Sequence, residues 1–158
     1  RIKDNFLAFW FRFVYPMRSF IESDHPEIAM TKLKTGFIPN HVGYVYEDIC
    51  RQKMWELNAQ GKLPFLFDRV GRWWGGKDTE IDIVAIDTTD RSKIIFGECK
   101  FHQNVPMQLS ELHQLKEKAA VVPWGNANRD EYFALFCISG YSEDLQQLAQ
   151  EDSHLLLM

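Results

Sequence analysis

The stretch EIDIVAIDTTDRSKIIFGECKF, residues 80–101, limits the possible folds more than any other part of the chain. Two apolar, β-branched runs flank a TTDRS turn signal, the pattern of a hairpin buried in a core. Yet Asp82 stands near the start of the first run, and Glu98 and Lys100 stand near the end of the second. Desolvating an unpaired ion costs on the order of several kcal/mol, so charges in such strands need partners or a metal. Alternate side chains of a strand share a face, which groups Glu98 with Lys100 and turns Cys99 and Phe101 the other way. Asp82 lies seven residues before Thr89 and Glu98 six after Ser92, so the hairpin sets the two acids nearly opposite each other. Two carboxylates and an ammonium are thus expected at one end of a sheet.

The hydrophobic period places this hairpin in an α/β domain. GYVYEDICRQKMWELNAQ has helical spacing, with Tyr46, Ile49, Cys50, Met54 and Leu57 on one apolar side and Gly61 ending it. PFLFDRVGRWW reads as a strand before the hairpin, and VPMQLSELHQLKEKAAVV as a helix after it. EYFALFCIS, SEDLQQLAQ and HLLLM follow as strand, helix and short strand. The order helix, three strands, helix, strand, helix, strand predicts one mixed central sheet flanked by helices. Upstream, residues 3–14 form an aromatic amphipathic stretch that Pro16 is expected to stop. Short helices broken by Pro26, Gly36 and Pro39 follow. The reading is an N-terminal helical segment over 1–40, a remnant of or link to a preceding domain, and one α/β domain over 41–158. A chain of 158 residues supports one substantial core. Because it begins with arginine inside a helical pattern, it is expected to be a piece of a longer protein.

Charge and composition narrow the function. The net charge is −4, and residues 119–158 carry one Lys/Arg against six Asp/Glu. A self-sufficient, tight nucleic-acid binder normally shows a basic footprint, which this chain lacks. No run of about 18 apolar residues and no signal-peptide pattern occurs, so no membrane partner is expected. Cys50, Cys99 and Cys137 lie in apolar contexts without CxxC spacing, which fits buried thiols in the cytoplasm. No GxxxxGK[ST] loop is present, so no nucleotide site is expected in this piece.

Two carboxylates suit a hard cation such as Mg²⁺ or Mn²⁺, which takes few protein ligands and keeps several waters. Asp82 and Glu98 are the expected ligands, with Lys100 beside them to stabilise developing charge. Glu47, on the preceding helix, is placed to reach the same edge. Arg72, Trp73 and Trp74 offer a phosphate-binding and stacking surface for nucleic acid, or else the tryptophans close the core. Cys99, His102 and His113 lack the second close pair that tetrahedral zinc requires.

These residues resemble the signature of the PD-(D/E)xK, or restriction-endonuclease-like, superfamily. Asp82 matches its first acid, Glu98 and Lys100 its E-x-K in GECKF, and Glu47 in GYVYEDIC its helical glutamate. Ile81 stands where that signature has proline. More narrowly, RIKDNFLAFWFRFVYP, GYVYEDIC, VGRWWG, EIDIVAID and GECKF together look like the C-terminal domain of archaeal and bacterial AAA-type ATPases. The resemblance implies a restriction-endonuclease-like core and an upstream P-loop ATPase domain in the same chain. It also implies Mg²⁺-dependent hydrolysis of DNA through Asp82, Glu98, Lys100 and Glu47. The alternative is a catalytically inactive nuclease-fold module that regulates the ATPase through nucleic-acid or protein contacts. Homo-oligomers are a further expectation wherever the N-terminal aromatics are exposed.

Overall fold

The computed structural model describes residues 2, 4–37, 41–76, 79–101, 103–126 and 128–158, with backbone alone at 35 and 36. Pro39 and His102 therefore lie outside the described residues. The chain divides into two compact units, residues 1–46 and 47–158.

The first unit is helical. Asp4 caps α1 (Asn5–Phe9), its carboxylate accepting the Leu7 N–H at 2.8 Å. The expected stop at Pro16 is replaced by a change of helix type. Proline has no N–H and its ring excludes the carbonyl four residues back, so the α ladder cannot continue unaltered. The backbone instead widens to a π segment over Trp10–Val14, where the Tyr15 N–H reaches the Trp10 carbonyl. It then tightens to a 3₁₀ turn over Tyr15–Met17 before α2 (Arg18–Glu22). Pro26 opens α3 (Pro26–Phe37), where its missing N–H costs nothing. Gly36 does not break that helix, which runs on to Phe37. Phe9, Phe13, Phe37 and His41 close on one another with ring centroids 5.6–6.0 Å apart. Phe6, Trp10, Phe11 and Tyr15 remain exposed.

In the second unit, α4 (Gly43–Ala59, beginning in the first unit) leads into β1 (Arg69–Trp74), β2 (Glu80–Ile86) and β3 (Lys93–Lys100). Then come α5 (Leu109–Ala120), β4 (Asp130–Cys137), α6 (Glu143–Glu151) and β5 (Leu155–Leu157). The strands lie in the order β1-β2-β3-β4-β5. The first two pairings are antiparallel and the last two parallel. Short turns suffice for the antiparallel strands, whereas α5 and α6 supply the crossovers that parallel neighbours require. The architecture is mixed α/β, a five-stranded mixed sheet flanked by helices. The element order agrees with the sequence pattern.

Strand β1 is shorter than PFLFDRVGRWW suggests. Its apolar beginning is held instead by buried Asn58, which donates to the Phe67 carbonyl and accepts the Phe67 N–H, both at 3.0 Å. On one face of the sheet, Ile94 and Phe96 of β3 pack with Leu112, Leu115 and Ala119 of α5, together with Leu135 and Leu145. Burying each such large side chain is worth about 1.5–3 kcal/mol. Alternation turns Ile95, Gly97 and Cys99 to the other face, where the Cys99 thiol hydrogen-bonds Cys50 of α4. Gln108 and Glu111 form a capping box at the start of α5. At its far end the Arg129 guanidinium takes the Ala119 carbonyl at 3.0 Å and the Val122 carbonyl at 2.6 Å.

Gly97 sits where three strands press together. A Cβ there would lie 2.9 Å from Ile83 Cβ and 3.1 Å from the Ala134 carbonyl oxygen. Gly97→Ala is therefore expected to destabilise the domain by about 1–3 kcal/mol, read as a lower urea midpoint. An unchanged midpoint would show that the strands have slack here.

Candidate functional site

The site is built at the end of the β2–β3 hairpin by register and by one irregularity. The ladder pairs Ile83 with Gly97 and Val84 with Phe96. Continued by one position, that register sets Asp82 opposite Glu98. On its other edge β2 pairs Val84 with Gly71 and Ile81 with Trp73. Asp82 and Ile83 thus face the single residue Arg72, which makes β2 the bulged strand. Bulges re-aim side chains and recur beside functional sites.

Glu98 and Lys100 share a face of β3 and meet directly, with Lys100 Nζ 2.9 Å from Glu98 Oε1. The other oxygen, Oε2, takes Lys118 Nζ at 3.0 Å. Lys118 belongs to α5, on the last turn before Arg129 caps the helix. Glu98 is 6% exposed, so its carboxylate has exchanged water for two ammonium groups. Charge-assisted bonds of this kind are what a buried carboxylate needs.

Asp82 is held differently. Its Oδ2 accepts the Cys99 N–H at 2.9 Å, and its own backbone carbonyl accepts from Arg51 at 3.1 Å. Burial and the neighbouring charge of Glu98 push its pKa up to about 6, against the opposing pull of the Cys99 N–H, Arg72 and Lys100. On Lys100 burial works to remove the proton, but Glu98 and Asp82 outweigh it and hold the ammonium above its ordinary value.

Glu47 is brought to the same edge but arrives paired. It meets Arg72 directly and lies 3.7 Å from Arg51. Arg72 also reaches Glu80 at 2.7 Å and lies over the Trp74 ring at 5.7 Å. The acids therefore form two linked groups, Asp82 with Glu98 and Glu47 with Glu80, with Arg72 between them acting electrostatically on both. Trp73 packs against the core, while Trp74 is 66% exposed. Both line a hollow of about 540 Å³ with Gly75, Gly76, Thr79, Val121 and Pro123. Cys99 faces Cys50.

Sequence reasoning missed Lys118 and the structural roles of Arg51 and Arg72. The signal for Lys118 was present in the crossover itself. A helix whose Leu112, Leu115 and Ala119 are buried on β3 must also lay position 118 near that strand. Nothing local marks the bulge that brings Arg72 to face Asp82.

As a cation site, the donor set fits on its chemistry. Asp82 and Glu98 are two carboxylates on adjoining strands, and burial together with the like charge of Glu98 raises the pKa of Asp82. No group of three His, Cys, Asp or Glu side chains with metal-holding geometry is found among the described residues. A cation there would rely on two protein ligands plus water, in keeping with the habits of Mg²⁺.

Residues 10–119 match the DUF234 family, described as archaeal and bacterial proteins of unknown function. The chain belongs to that family. The match takes in Glu47, Arg72, Asp82, Glu98, Lys100 and Lys118 and stops before β4. An uncharacterised protein of Methanocaldococcus jannaschii is 33% identical over 135 residues, which are 85% of this chain and 29% of that relative. The chain thus spans less than a third of that relative's length. No solved structure gives a significant match. Among the described residues, no helix is long and apolar enough to cross a membrane.

The raised pKa has a consequence for stability. Folded, Asp82 keeps its proton to about pH 6, whereas the ordinary value is 3.8. The folded state therefore binds the extra proton between those values. Asp82's contribution is most favourable below pH 4 and declines as pH rises through 6, by about 2–3 kcal/mol in all. Asp82→Asn keeps the acceptor for Cys99 and removes the charge. It should match the parent near pH 4 and exceed it by about 2 kcal/mol at pH 8 in urea unfolding. Parallel stability–pH curves for the two proteins would refute the assignment.

Proposed function

We propose that residues 41–158 form a nuclease-like domain of the PD-(D/E)xK, restriction-endonuclease-like type that hydrolyses phosphodiester bonds of DNA with Mg²⁺ or Mn²⁺. In this reading the domain is the C-terminal part of a longer protein whose upstream part is a P-loop ATPase. The observation that carries it is the convergence of Asp82, Glu98 and Lys100 at one end of an antiparallel hairpin. The helix, three strands, helix, strand order adds support. Because the chain covers 29% of its archaeal relative, there is room for such an upstream module. Three free thiols, among them the facing pair Cys50 and Cys99, support a cytoplasmic setting. The exposed aromatics of residues 1–40 support a role for that segment in linking to the upstream domain or in self-association.

Asp82 and Glu98 would hold the cation. A bound Mg²⁺ supplies a polarised phosphoryl oxygen and a water of lowered pKa. Lys100, kept protonated by Glu98, faces the developing negative charge of the phosphoryl group. Glu47, drawn to Arg72 and Arg51, serves more to position that edge than as a free base. Trp74 offers an exposed stacking surface for a nucleobase.

One observation favours a second reading. Both oxygens of Glu98 are closed by lysines and Glu47 is closed by arginines, as in an inactive module that keeps the fold to regulate the ATPase. The acidic C-terminal quarter points the same way.

The two readings part on one experiment. With linear duplex DNA and millimolar Mn²⁺, the parent should cleave and Asp82→Ala should lose at least about 100-fold in rate while its circular dichroism is unchanged. Equal cleavage by both proteins, or none by the parent, would remove the catalytic reading.

A further inference from the structure

The closed state of Glu98 points to a device within the site. We propose that Lys118 is a positioning residue: the resident counter-cation of Glu98, which leaves it for a phosphodiester anion and so opens the acid to a divalent cation only when substrate is present. This inference rests on the nuclease reading above and concerns how that same site is regulated.

Charge carries the argument. Asp82 and Glu98 contribute two negative charges, and Lys100 and Lys118, both close to Glu98, contribute two positive ones. These four charges sum to zero before any metal enters. A divalent ion alone would add two uncompensated charges to a partly desolvated place, and it would have to compete with Lys118 for Oε2. A phosphodiester brings the missing negative charge and offers Lys118 an alternative partner of the same kind. Each ligand then helps the other, and thermodynamic linkage makes the help reciprocal.

Geometry singles out Lys118 for this role. Its helix is anchored, since Leu115 and Ala119 on either side of it are fully buried. The lysine itself is not, with a side chain 30% exposed against 8% for its partner. Exchange therefore needs only rotation of a flexible four-carbon stem, with no movement of α5. Lys116 on the same helix lies over the Phe133 ring at 5.2 Å, so contact with Glu98 is particular to position 118. Lys100 is as exposed, at 29%, but it lies on β3 beside both acids and feels the charge of Asp82 as well as that of Glu98, which holds it there.

The test is Mn²⁺ binding, followed by the paramagnetic resonance of free Mn²⁺, on the full chain with and without a phosphorothioate DNA duplex. An uncharged methylphosphonate duplex and the Asp82→Asn protein serve as controls. For the parent, the charged duplex should tighten Mn²⁺ by about tenfold or more and the uncharged one should not. Lys118→Met should bind Mn²⁺ about tenfold more tightly than the parent without DNA and show little further tightening with it. Lys118→Arg keeps the charge and should restore weak binding without DNA. Mn²⁺ affinity that is the same with and without the duplex, or the same in Lys118→Met and the parent, would overturn the role of Lys118 and leave the nuclease reading standing. Absence of Mn²⁺ binding above the Asp82→Asn background in every condition would overturn both.

Discussion

The buried carboxylate of Glu98 is the interaction on which the charged edge of the sheet depends. A carboxylate that is 6% exposed is stable only if charge comes to it, and here it comes from two directions. Lys100 arrives along the strand by β alternation, while Lys118 arrives across the crossover on α5. The second contact joins helix to sheet through an ion pair. The apolar packing of Leu112, Leu115 and Ala119 anchors the helix on the sheet. Each lysine compensates one oxygen of the acid.

Asp82 shows the opposite condition. It has one firm hydrogen bond, from the Cys99 N–H, and a like charge beside it. The bulge that opposes Asp82 and Ile83 to Arg72 is the device that holds it there. Arg72 divides its guanidinium between Glu47 and Glu80 and so moderates the field at Asp82 without neutralising it. Arg51 links helix α4 to the same strand through the Asp82 carbonyl. The edge is thus a graded row of charges, compensated at Glu98 and Glu47 and under-compensated at Asp82.

Much of this was legible without coordinates. Alternation paired Glu98 with Lys100, and equal distances from the TTDRS turn brought Asp82 opposite. The 3.6-residue period located α5 and the period of two located β3, because each reflects which residues a core must bury. Other features were not legible for physical reasons. Pro16 was expected to end a helix, yet helical backbone has π and 3₁₀ forms that carry the chain past it. The Pro64–Phe67 run is as apolar as a strand, but Asn58 captures its end by donating to the Phe67 carbonyl and accepting the Phe67 N–H.

By itself, the sequence determined the order of elements, the face on which each charged residue of the hairpin lies, and the shortage of basic charge near the C-terminus. Those properties follow from local periodicity and composition, which need no knowledge of distant partners. Only the tertiary structure decided which cation compensates which acid. Lys118 reaches Glu98 and Arg72 reaches Glu47 because the packing of α5 on β3 and of α4 beside β1 brings together residues 20 and 25 positions apart. Electrostatic compensation depends on distance in space and on exclusion of water. Neither quantity is written in the spacing of residues along the chain, so EIDIVAID and GECKF announced a charged site while the fold chose its counter-ions.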